Sequence, residues 1–336
     1  VNQSEIRSDG VNYRNEKFFN IILGTDYHIN ELNVLTLSGN FAYEVEDQPS
    51  ETNYSSYKNN TLISQWKRTE ITEATNPKWQ YELNYERQFK DNEKHTLLAS
   101  AIGSFFGKDQ SSVFKNVATL GTIVENDQQG NTDFQEANYT FKLDYTKPFN
   151  ERFSMETGAQ YLINEVGNDY AISDLKEGQW IPNPALTNNF QFDQKVLGIY
   201  GTGSYEGDKW GVKAGLRVEN TDLVTLLETT NTGNNRNYTN LFPSVHTSYK
   251  ISRDVSLQLG YSRRIYRPRL WELNPFLSLS DNYNISTGNP DLDPEYSDSY
   301  ELTGIFKIGK ATLNSSVYHR YTTSVIEDVS TFENNV

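Results

Sequence analysis

The sequence of 336 residues contains no cysteine, one methionine and no long apolar run. The missing cysteines exclude disulfide bonds, thiolate metal sites and a cysteine nucleophile. No window approaches the ~20 consecutive apolar residues that a transmembrane helix needs, so a helical membrane protein is excluded. The mean hydropathy of −0.70 agrees with that exclusion. Basic residues number 30 against 44 acidic ones, and the net charge of −14 argues against nucleic acid as a partner.

Aromatic and small polar residues are abundant instead. The chain has 22 tyrosines and 17 phenylalanines, together with much Asn, Thr and Ser. This mixture favours strands and turns. The first fifteen residues lack the charged and apolar regions of a signal peptide. Because the last residues are also polar and irregular, we interpret residues 1–336 as a fragment or a processed piece.

Two-residue alternation is the dominant pattern, and it indicates half-buried strands. Between Trp79 and Phe89, every odd-numbered residue except Arg87 is apolar and every even-numbered residue is polar. The same alternation occurs in residues 138–146, 210–219 and 255–262. A helix would scatter these apolar residues around its axis, so we predict strands.

The connections between these strands alternate between short and long. Short turns are predicted near residues 28–33, 90–94, 147–151, 206–209, 251–254 and 308–310. Long connections are predicted near residues 45–78, 107–133, 164–189, 221–236 and 265–297. This gives about twelve antiparallel up-and-down strands with all long connections at one end, which is typical of outer-membrane β-barrels with short periplasmic turns and long extracellular loops. Residues 61–75 are interpreted as extended loop.

The aromatic residues support an all-β, transmembrane barrel. They lie near both ends of the apolar rows, as Phe153 and Tyr161 do in one strand. Eight residues at ~3.3 Å each, tilted by ~40°, span about 20 Å, close to the height of a lipid-facing apolar band with aromatic girdles. The alternative is a soluble β-sandwich whose aromatic residues face a core, but five long connections at one end do not favour it.

The face opposite the apolar rows carries ionisable residues that a dry core would not hold without large desolvation costs. A water-filled or plugged lumen accommodates them. The predicted lumen-facing residues are Glu82, Glu86, Lys142, Asp144, Lys213, Arg217, Glu219 and Arg264. Solvated wall charge is the favoured interpretation, and a specific binding role is the other.

The segment from Tyr261 to Leu302 is the most distinctive part of the sequence. It reads YSRRIYRPRLWELNPF and then GNPDLDPEYSDSYEL. This segment resembles the barrel region of TonB-dependent receptor-like outer-membrane proteins common in gut and aquatic Gram-negative bacteria. In that family a strand ending Y-S-R-R leads to R-P-x-x-W-x-L-N-P-F, and a G-N-P-x-L-x-P-E segment begins the next strand.

The prolines of this segment cannot donate to a ladder, so we predict an ordered excursion from the sheet. Its arginines, from Arg263 to Arg269, accompany a run of acids at 281, 291, 293 and 295. One interpretation is a charge network within the excursion that fixes it against the wall. The other is a ligand-contact surface at the extracellular mouth, for which the candidates are Tyr266, Arg267, Trp271, Asp291 and Asp293.

The resemblance implies a nutrient transporter of the outer membrane, not an enzyme. It implies a barrel of 22 strands, an N-terminal plug and energy from the TonB complex, and we expect this chain to lack the plug and the C-terminal strands. The implied partners are outer-membrane lipid, the TonB complex, a surface lipoprotein and a scarce ligand such as a siderophore, oligosaccharide, peptide or cobalamin-like compound. A passive channel or a structural or adhesive barrel is the alternative.

No motif for catalysis, metal or cofactor binding accompanies these features. His28, His95, His246 and His319 lack metal-ligand spacing, and we assign them surface roles. The acids at 291, 293 and 295 lack the twelve-residue calcium-loop pattern. We therefore predict no metal and no cofactor.

Overall fold

The structure is a computed structural model that describes residues 4–122, 126–275, 278–281 and 284–330. Strands make up most of the described chain. They are β1 (Ser4–Asn12), β2 (Asn15–Asn30), β3 (Asn33–Lys58), β4 (Thr61–Phe89), β5 (Asn92–Leu120), β6 (Gln128–Pro148), β7 (Phe153–Lys176), β8 (Gln179–Pro182), β9 (Asn188–Glu206), β10 (Trp210–Leu227), β11 (Thr232–Lys250), β12 (Val255–Tyr266), β13 (Ser278–Asp281), β14 (Asn284–Ser286), β15 (Glu295–Ile308) and β16 (Ala311–Thr323). A helical turn, α1 (Leu270–Leu273), and a 3-10 turn, Pro184–Leu186, interrupt them. The described residues include no helix of the length and apolar character that crossing a membrane requires.

Fourteen strands form one antiparallel sheet, and β13 pairs with β14 separately. The order of neighbours across the large sheet is β1-β3-β4-β5-β6-β7-β9-β10-β11-β12-β15-β16, while β2 also pairs with β3 and β8 with β7. The sheet is therefore twelve strands wide and runs up and down along the chain. This confirms the predicted all-β architecture and the estimate of about twelve strands.

One edge of the sheet is a single strand interrupted in its middle. Asn12 of β1 faces Ser50 of β3, and Asn15 of β2 faces Asp47, so the same register runs through both strands. Between them the Tyr13 amide donates to the Pro49 carbonyl at 2.9 Å. Pro49 has no amide hydrogen to return the bond. A proline opposite the break thus divides one long edge strand into β1 and β2.

The two ends of the sheet differ as the sequence predicts, but four of the five long connections consist mainly of strand. All six short turns lie where they were predicted, between β2 and β3, β4 and β5, β6 and β7, β9 and β10, β11 and β12, and β15 and β16. At the other end β3 and β4 continue to a tight turn at Asn59 and Asn60, whose φ angles of 51° and 63° are left-handed. The interpretation of residues 61–75 as loop was therefore wrong.

The physical reason for this error is the surroundings of the strand extensions. Within the apolar belt one face carries exposed apolar side chains and the other carries polar groups, so hydrophobicity alternates. Beyond the belt burial no longer follows hydrophobicity, because Thr72 is buried while Ile71 is exposed, and only the backbone ladder and β-branched residues mark the strand. The pairing is nevertheless regular, for Tyr54 faces Trp66 across the hairpin and their rings stack at 5.1 Å.

The outward face of the sheet carries the apolar rows that the sequence predicts. Trp79, which is half exposed, packs against Phe41 with ring centroids 4.8 Å apart. Farther round the sheet Trp210 packs on Tyr249 at 4.3 Å. Because exposed large apolar side chains recur along nearly every strand, this face matches the surface that lipid covers.

The described buried core lies at the long end, on the inward face. Phe190, Phe192 and Leu223 pack there with Val166, Leu227 and Leu273. Leu273 belongs to α1 and is completely buried, whereas the other five belong to β7, β9 and β10. We define the excursion as the described residues between 267 and 294, which are 267–275, 278–281 and 284–294, and it packs on the wall through Leu273.

The ladder beside the excursion is short. β11 pairs with β12 only from Lys250 and Ser256 to Ser244 and Ser262. The next pair in the same register would be Pro243 and Arg263. Since proline removes a ladder donor, Pro243 accounts for the end of this pairing. Beyond it β12 is held by β15 alone, up to Tyr266.

Candidate functional site

The residues that we predict to face a lumen alternate along their strands with apolar residues, so they lie on the face opposite the apolar rows. These residues are Glu82, Glu86, Lys142, Asp144, Lys213, Arg217 and Arg264. Lys142 Nζ lies 2.7 Å from Asp144 Oδ2, and Lys213 Nζ lies 3.0 Å from Glu156 Oε2 on β7. A hollow of about 800 Å³ near the short turns is lined by Lys213, His246 and Glu301, among others. The interior of the wall is thus polar, with neighbouring charges of opposite sign.

Higher on this face, Glu219 of β10 joins two arginines. One oxygen of its carboxylate accepts from Arg217 Nε at 2.5 Å, and the other accepts from Arg267 Nη2 of the excursion. Arg267 Nη2 also donates to the Thr221 hydroxyl at 3.0 Å. Glu219 is 8% exposed and Thr221 is 0% exposed. We call Glu219, Arg217, Arg267 and Thr221 the Glu219 cluster, and it links the wall to the excursion.

Glycines let two large side chains of this face lie flat against the wall. A Cβ atom at Gly198 would collide with the Arg217 guanidinium, and one at Gly158 would come 2.6 Å from the Tyr200 hydroxyl. The Arg217 guanidinium stands 5.5 Å from the Tyr200 ring and donates to Gln160 at 3.0 Å. Gly198 thus leaves space for the Arg217 guanidinium, which binds Glu219, and Gly158 leaves space for the Tyr200 ring that Arg217 contacts.

The acids of the excursion meet the wall at a second place. Arg236 of β11 pairs with the Asp293 carboxylate and donates to the Asp291 carbonyl oxygen at 2.8 Å. Asn234 donates to the Pro290 carbonyl oxygen at 2.8 Å. The expected network within the excursion is therefore replaced by bonds to the wall, because Arg267 binds Glu219 and Asp293 binds Arg236.

Internal bonds give the excursion a defined shape. The Glu272 carboxylate accepts from the Arg269 amide at 2.7 Å and from the Tyr266 hydroxyl at 2.8 Å, which closes the first turn of α1. The amide of Gly288 donates to the Asn274 carbonyl at 2.8 Å. A Cβ at position 288 would lie 2.5 Å from the Glu272 carbonyl oxygen, so only glycine permits this approach.

Aromatic rings and a cation form the exposed surface of the excursion. The Arg269 guanidinium lies 5.5 Å from the Tyr266 ring and 5.2 Å from the Trp271 ring. Trp271 is 63% exposed. Burial and the hydrogen bond to Glu272 raise the pKa of Tyr266, so its hydroxyl stays protonated as a donor. This stack has the flat apolar faces and positive charge suited to aromatic or anionic groups.

The excursion crosses several strands at the end of the sheet that carries the long connections. It leaves β12, and Leu273 belongs to the same buried cluster as Val166 of β7, with β11, β10 and β9 between the two strands. Neighbouring strands are ~4.8 Å apart, so four intervals correspond to about 19 Å. Asn188 on β9 donates to Asn274 at 3.4 Å near the far end of this path. The described residues of the excursion thus bond to β9, β10 and β11.

The histidines show one departure from the predicted surface roles. His95 is 5% exposed, stacks on Phe89 at 3.9 Å and contacts the Tyr145 hydroxyl through Nε2 at 2.9 Å. Its Nδ1 lies 2.8 Å from Asp91 Oδ1, and this hydrogen bond lowers the pKa of Asp91. His95 is therefore part of the aromatic girdle beside a short turn. Within the described residues no group of three or more His, Asp or Glu side chains could hold a metal ion.

Sequence reasoning missed several residues that shape the site. Thr221, Arg236 and Leu273 were not selected, and Glu219 was interpreted as wall charge. A weak signal existed for Leu273, because Leu270 and Leu273 are spaced as one face of a helical turn. The partnership of Glu219 with Arg267, 48 residues later, left no local pattern.

Comparison with known proteins identifies the fold. No curated protein sequence matches the chain. Among solved structures, the copper transporter OprC shares 12% identity with a TM-score of 0.57, covering 96% of this chain and 53% of its own. The ferric-catecholate import receptor Fiu from K12 E. coli shares 8% identity with a TM-score of 0.49, covering 95% of this chain and 58% of its own. The chain thus spans about half the length of these proteins.

The family model for the outer membrane protein beta-barrel family matches residues 87–336. This match includes the Tyr261–Leu302 segment from which the resemblance was drawn, and the family is one of membrane barrels rather than enzymes. The apolar face of the sheet accordingly faces lipid of the bacterial outer membrane. The chain belongs to the outer membrane protein beta-barrel family.

Proposed function

We propose that this chain is the wall of an outer-membrane receptor that takes up a scarce nutrient with energy from the TonB complex. The observation that carries the proposal is the excursion, which folds over a polar interior and exposes Trp271, Arg269 and Tyr266. A barrel that served only as an anchor would not need an ordered segment, fixed by ion pairs, across its interior. The similarity to OprC supports the fold and leaves the nutrient open.

The proposal includes a larger barrel. Among the described residues, β2 pairs only with β3, and β16 pairs only with β15. Unpaired backbone groups are costly in lipid, so both edges need further strands. Both edge strands carry outward apolar residues, for Leu23 is 71% exposed and Val317 is 72% exposed. Because the chain spans about half of OprC, further strands of the same polypeptide are the proposed neighbours, with a plug inside.

Within this proposal, two of the five predicted ligand-contact residues are the main contacts. Trp271 and Tyr266 are the proposed contacts, joined by Arg269. Arg267, Asp291 and Asp293 also hold the excursion on the wall through Glu219, Asn234 and Arg236. The side chains of Asp291 and Asp293 stay 80% and 74% exposed.

Uptake by cells that express the whole polypeptide tests the function. The probes are a labelled ferric siderophore, cobalamin, a maltooligosaccharide and a peptide, each with and without a protonophore. We expect one probe to accumulate and the protonophore to abolish its accumulation. Accumulation that continues with the protonophore would indicate a passive channel, and the absence of uptake of every probe would contradict the proposal.

A substitution then tests the contact surface. Trp271→Ala should weaken surface binding of the accumulated probe by about tenfold, since an exposed aromatic anchor supplies 1–3 kcal/mol of contact. The matched control is Trp180→Ala, because Trp180 is 42% exposed on β8, outside the excursion. Equal losses for both variants would contradict the assignment of Trp271.

A further inference from the structure

The apolar outward row of β4 contains one cation, close to its short turn. Arg87 follows Tyr81 and Leu83 on this face and is exposed like them. Its guanidinium lies 4.8 Å from the Phe89 ring. A charge on the lipid-facing surface is unfavourable except near the membrane interface, where aromatic rings and headgroups meet. The proposed uptake of a nutrient gives this arginine no role.

A second cation, Lys147, lies on the same face two strands away. It follows Tyr145 in the outward row of β6, and its Nζ lies 5.7 Å from the centre of the Phe149 ring. Arg87 pairs with Leu97 of β5, and Leu97 pairs with Tyr145. With ~4.8 Å between strands and ~3.4 Å per residue, the Cα atoms of Arg87 and Lys147 are about 12 Å apart. Two side chains of this length can approach one bound group from opposite sides.

Packed rings fill the space between the two cations. The buried His95 of β5 stacks on Phe89, and its ring centroid lies 5.5 Å from that of Tyr145. Its two ring nitrogens contact the Asp91 carboxylate and the Tyr145 hydroxyl. The hydrogen bond to His95 lowers the pKa of Asp91, and the charge of Lys147 acts in the same direction. Asp91 therefore stays ionised and bound to His95.

Arg87 and Lys147 have no acidic partner of their own. Among the described residues, no carboxylate lies within ion-pair distance of either cation. The positive charge here contrasts with the net charge of −14 of the whole chain. It also contrasts with the outward ring pair of Trp210 and Tyr249 near another short turn, over which no described cation lies. The outward face of β4, β5 and β6 thus offers two cations to an anion from outside the chain.

We propose that Arg87 and Lys147 bind the phosphate of an anionic glycerophospholipid in the periplasmic leaflet of the outer membrane. A guanidinium can donate two parallel hydrogen bonds to phosphate oxygens, and the lysine ammonium adds a point charge. The acyl chains lie along the same face toward the belt, where Leu83 and Leu143 are exposed. The occupant is a lipid rather than a soluble phosphate, because the two cations adjoin the apolar rows.

Lipid binding by the purified whole polypeptide tests this site. The protein in a non-ionic detergent is titrated with dioleoylphosphatidylglycerol or with dioleoylphosphatidylcholine, and native mass spectrometry measures the fraction with bound lipid. The two lipids share their acyl chains and differ in net charge. We expect the phosphatidylglycerol to bind about tenfold more tightly, because charge-assisted hydrogen bonds favour the anionic headgroup.

The double variant Arg87→Gln and Lys147→Gln should lose this preference for phosphatidylglycerol. The matched control is Lys209→Gln with Lys310→Gln, which removes the same charge from exposed positions in two other short turns. The control should keep the preference of the unchanged protein. Glycerol 3-phosphate at millimolar concentration should not displace the lipid, because it lacks the acyl chains.

Three results would overturn the lipid site. They are equal binding of the two lipids by the unchanged protein, equal losses in the double variant and its control, and displacement of the lipid by glycerol 3-phosphate. If the double variant does not assemble, Arg87→Lys replaces it and should lower the affinity for phosphatidylglycerol about threefold, since lysine keeps the charge without the paired donors. An unchanged affinity in Arg87→Lys would then contradict the site. The assay uses no nutrient, so its failure is distinguishable from failure of nutrient uptake.

Discussion

Two segments leave the membrane belt at the same end of the sheet and are stabilised in different ways. The β3–β4 hairpin continues as a ladder to Asn59 and Asn60, with partners assigned along nearly its whole length. The excursion has a helical turn, four prolines at 268, 275, 290 and 294, and contacts to distant strands. The hairpin thus depends on its own backbone pairing, whereas the excursion depends on the wall. One sheet can therefore carry both an extension held by its own ladder and a segment held by contacts to distant strands.

An inserted peptide should show the largest difference in tolerance between these two segments. A ten-residue epitope between Asn59 and Asn60 lengthens an exposed turn, which costs little, so the protein should assemble and bind antibody on intact cells. The same epitope between Trp271 and Glu272 would divide α1 and displace Leu273 from its core. We expect that variant to lose protease resistance at Arg269, measured by trypsin digestion of outer membranes. Equal tolerance of both insertions would contradict the comparison.

Truncation of one core side chain should have the next largest effect. Leu273→Ala removes a fully buried side chain, so the docked excursion should lose about 2–5 kcal/mol relative to the undocked one. The measurement is the rate of tryptic cleavage at Arg269. The control is Leu241→Ala, because Leu241 is 56% exposed on the outward face of β11. A cleavage rate as low in Leu273→Ala as in the control would show that the core does not hold the excursion.

A substitution beside the short β11–β12 ladder should have a smaller effect. If Pro243 ends the pairing, Pro243→Val should extend it to Arg263 and add about 1 kcal/mol of local stability through a restored hydrogen bond. Hydrogen exchange of residues 263–266 measures the gain as slower exchange. Unchanged exchange would show that the excursion, rather than the proline, draws β12 away from β11.

The turn of the β3–β4 hairpin should be the least sensitive position. Asn60 has a φ of 63°, a conformation that glycine also adopts without strain. Asn60→Gly should therefore change the local free energy of unfolding by only a few tenths of a kcal/mol, whereas Asn60→Val should cost about 1–2 kcal/mol. Hydrogen exchange at the ends of β3 and β4 distinguishes the two variants, and similar exchange in both would contradict the assigned turn.

The belt was predictable from the sequence because lipid imposes a pattern on it. Trp79, Tyr81 and Leu83 must face one side, and their neighbours must face the other. The strand extensions lacked this constraint, so residues 61–75 gave no alternation to detect. The excursion was recognised from its prolines and motif. Its docking was not, because Arg267, Glu219 and Leu273 meet only after the sheet has brought β10 and β12 together.

The absence of a side chain at Gly198 has a consequence for relatives of this chain. Any side chain there would occupy the space of the Arg217 guanidinium. A side chain at this position would therefore move the guanidinium of Arg217, and Glu219 would then depend more on its other cation, Arg267. Relatives that keep this arrangement of Arg217 should therefore keep glycine at position 198, although glycine carries no chemistry of its own.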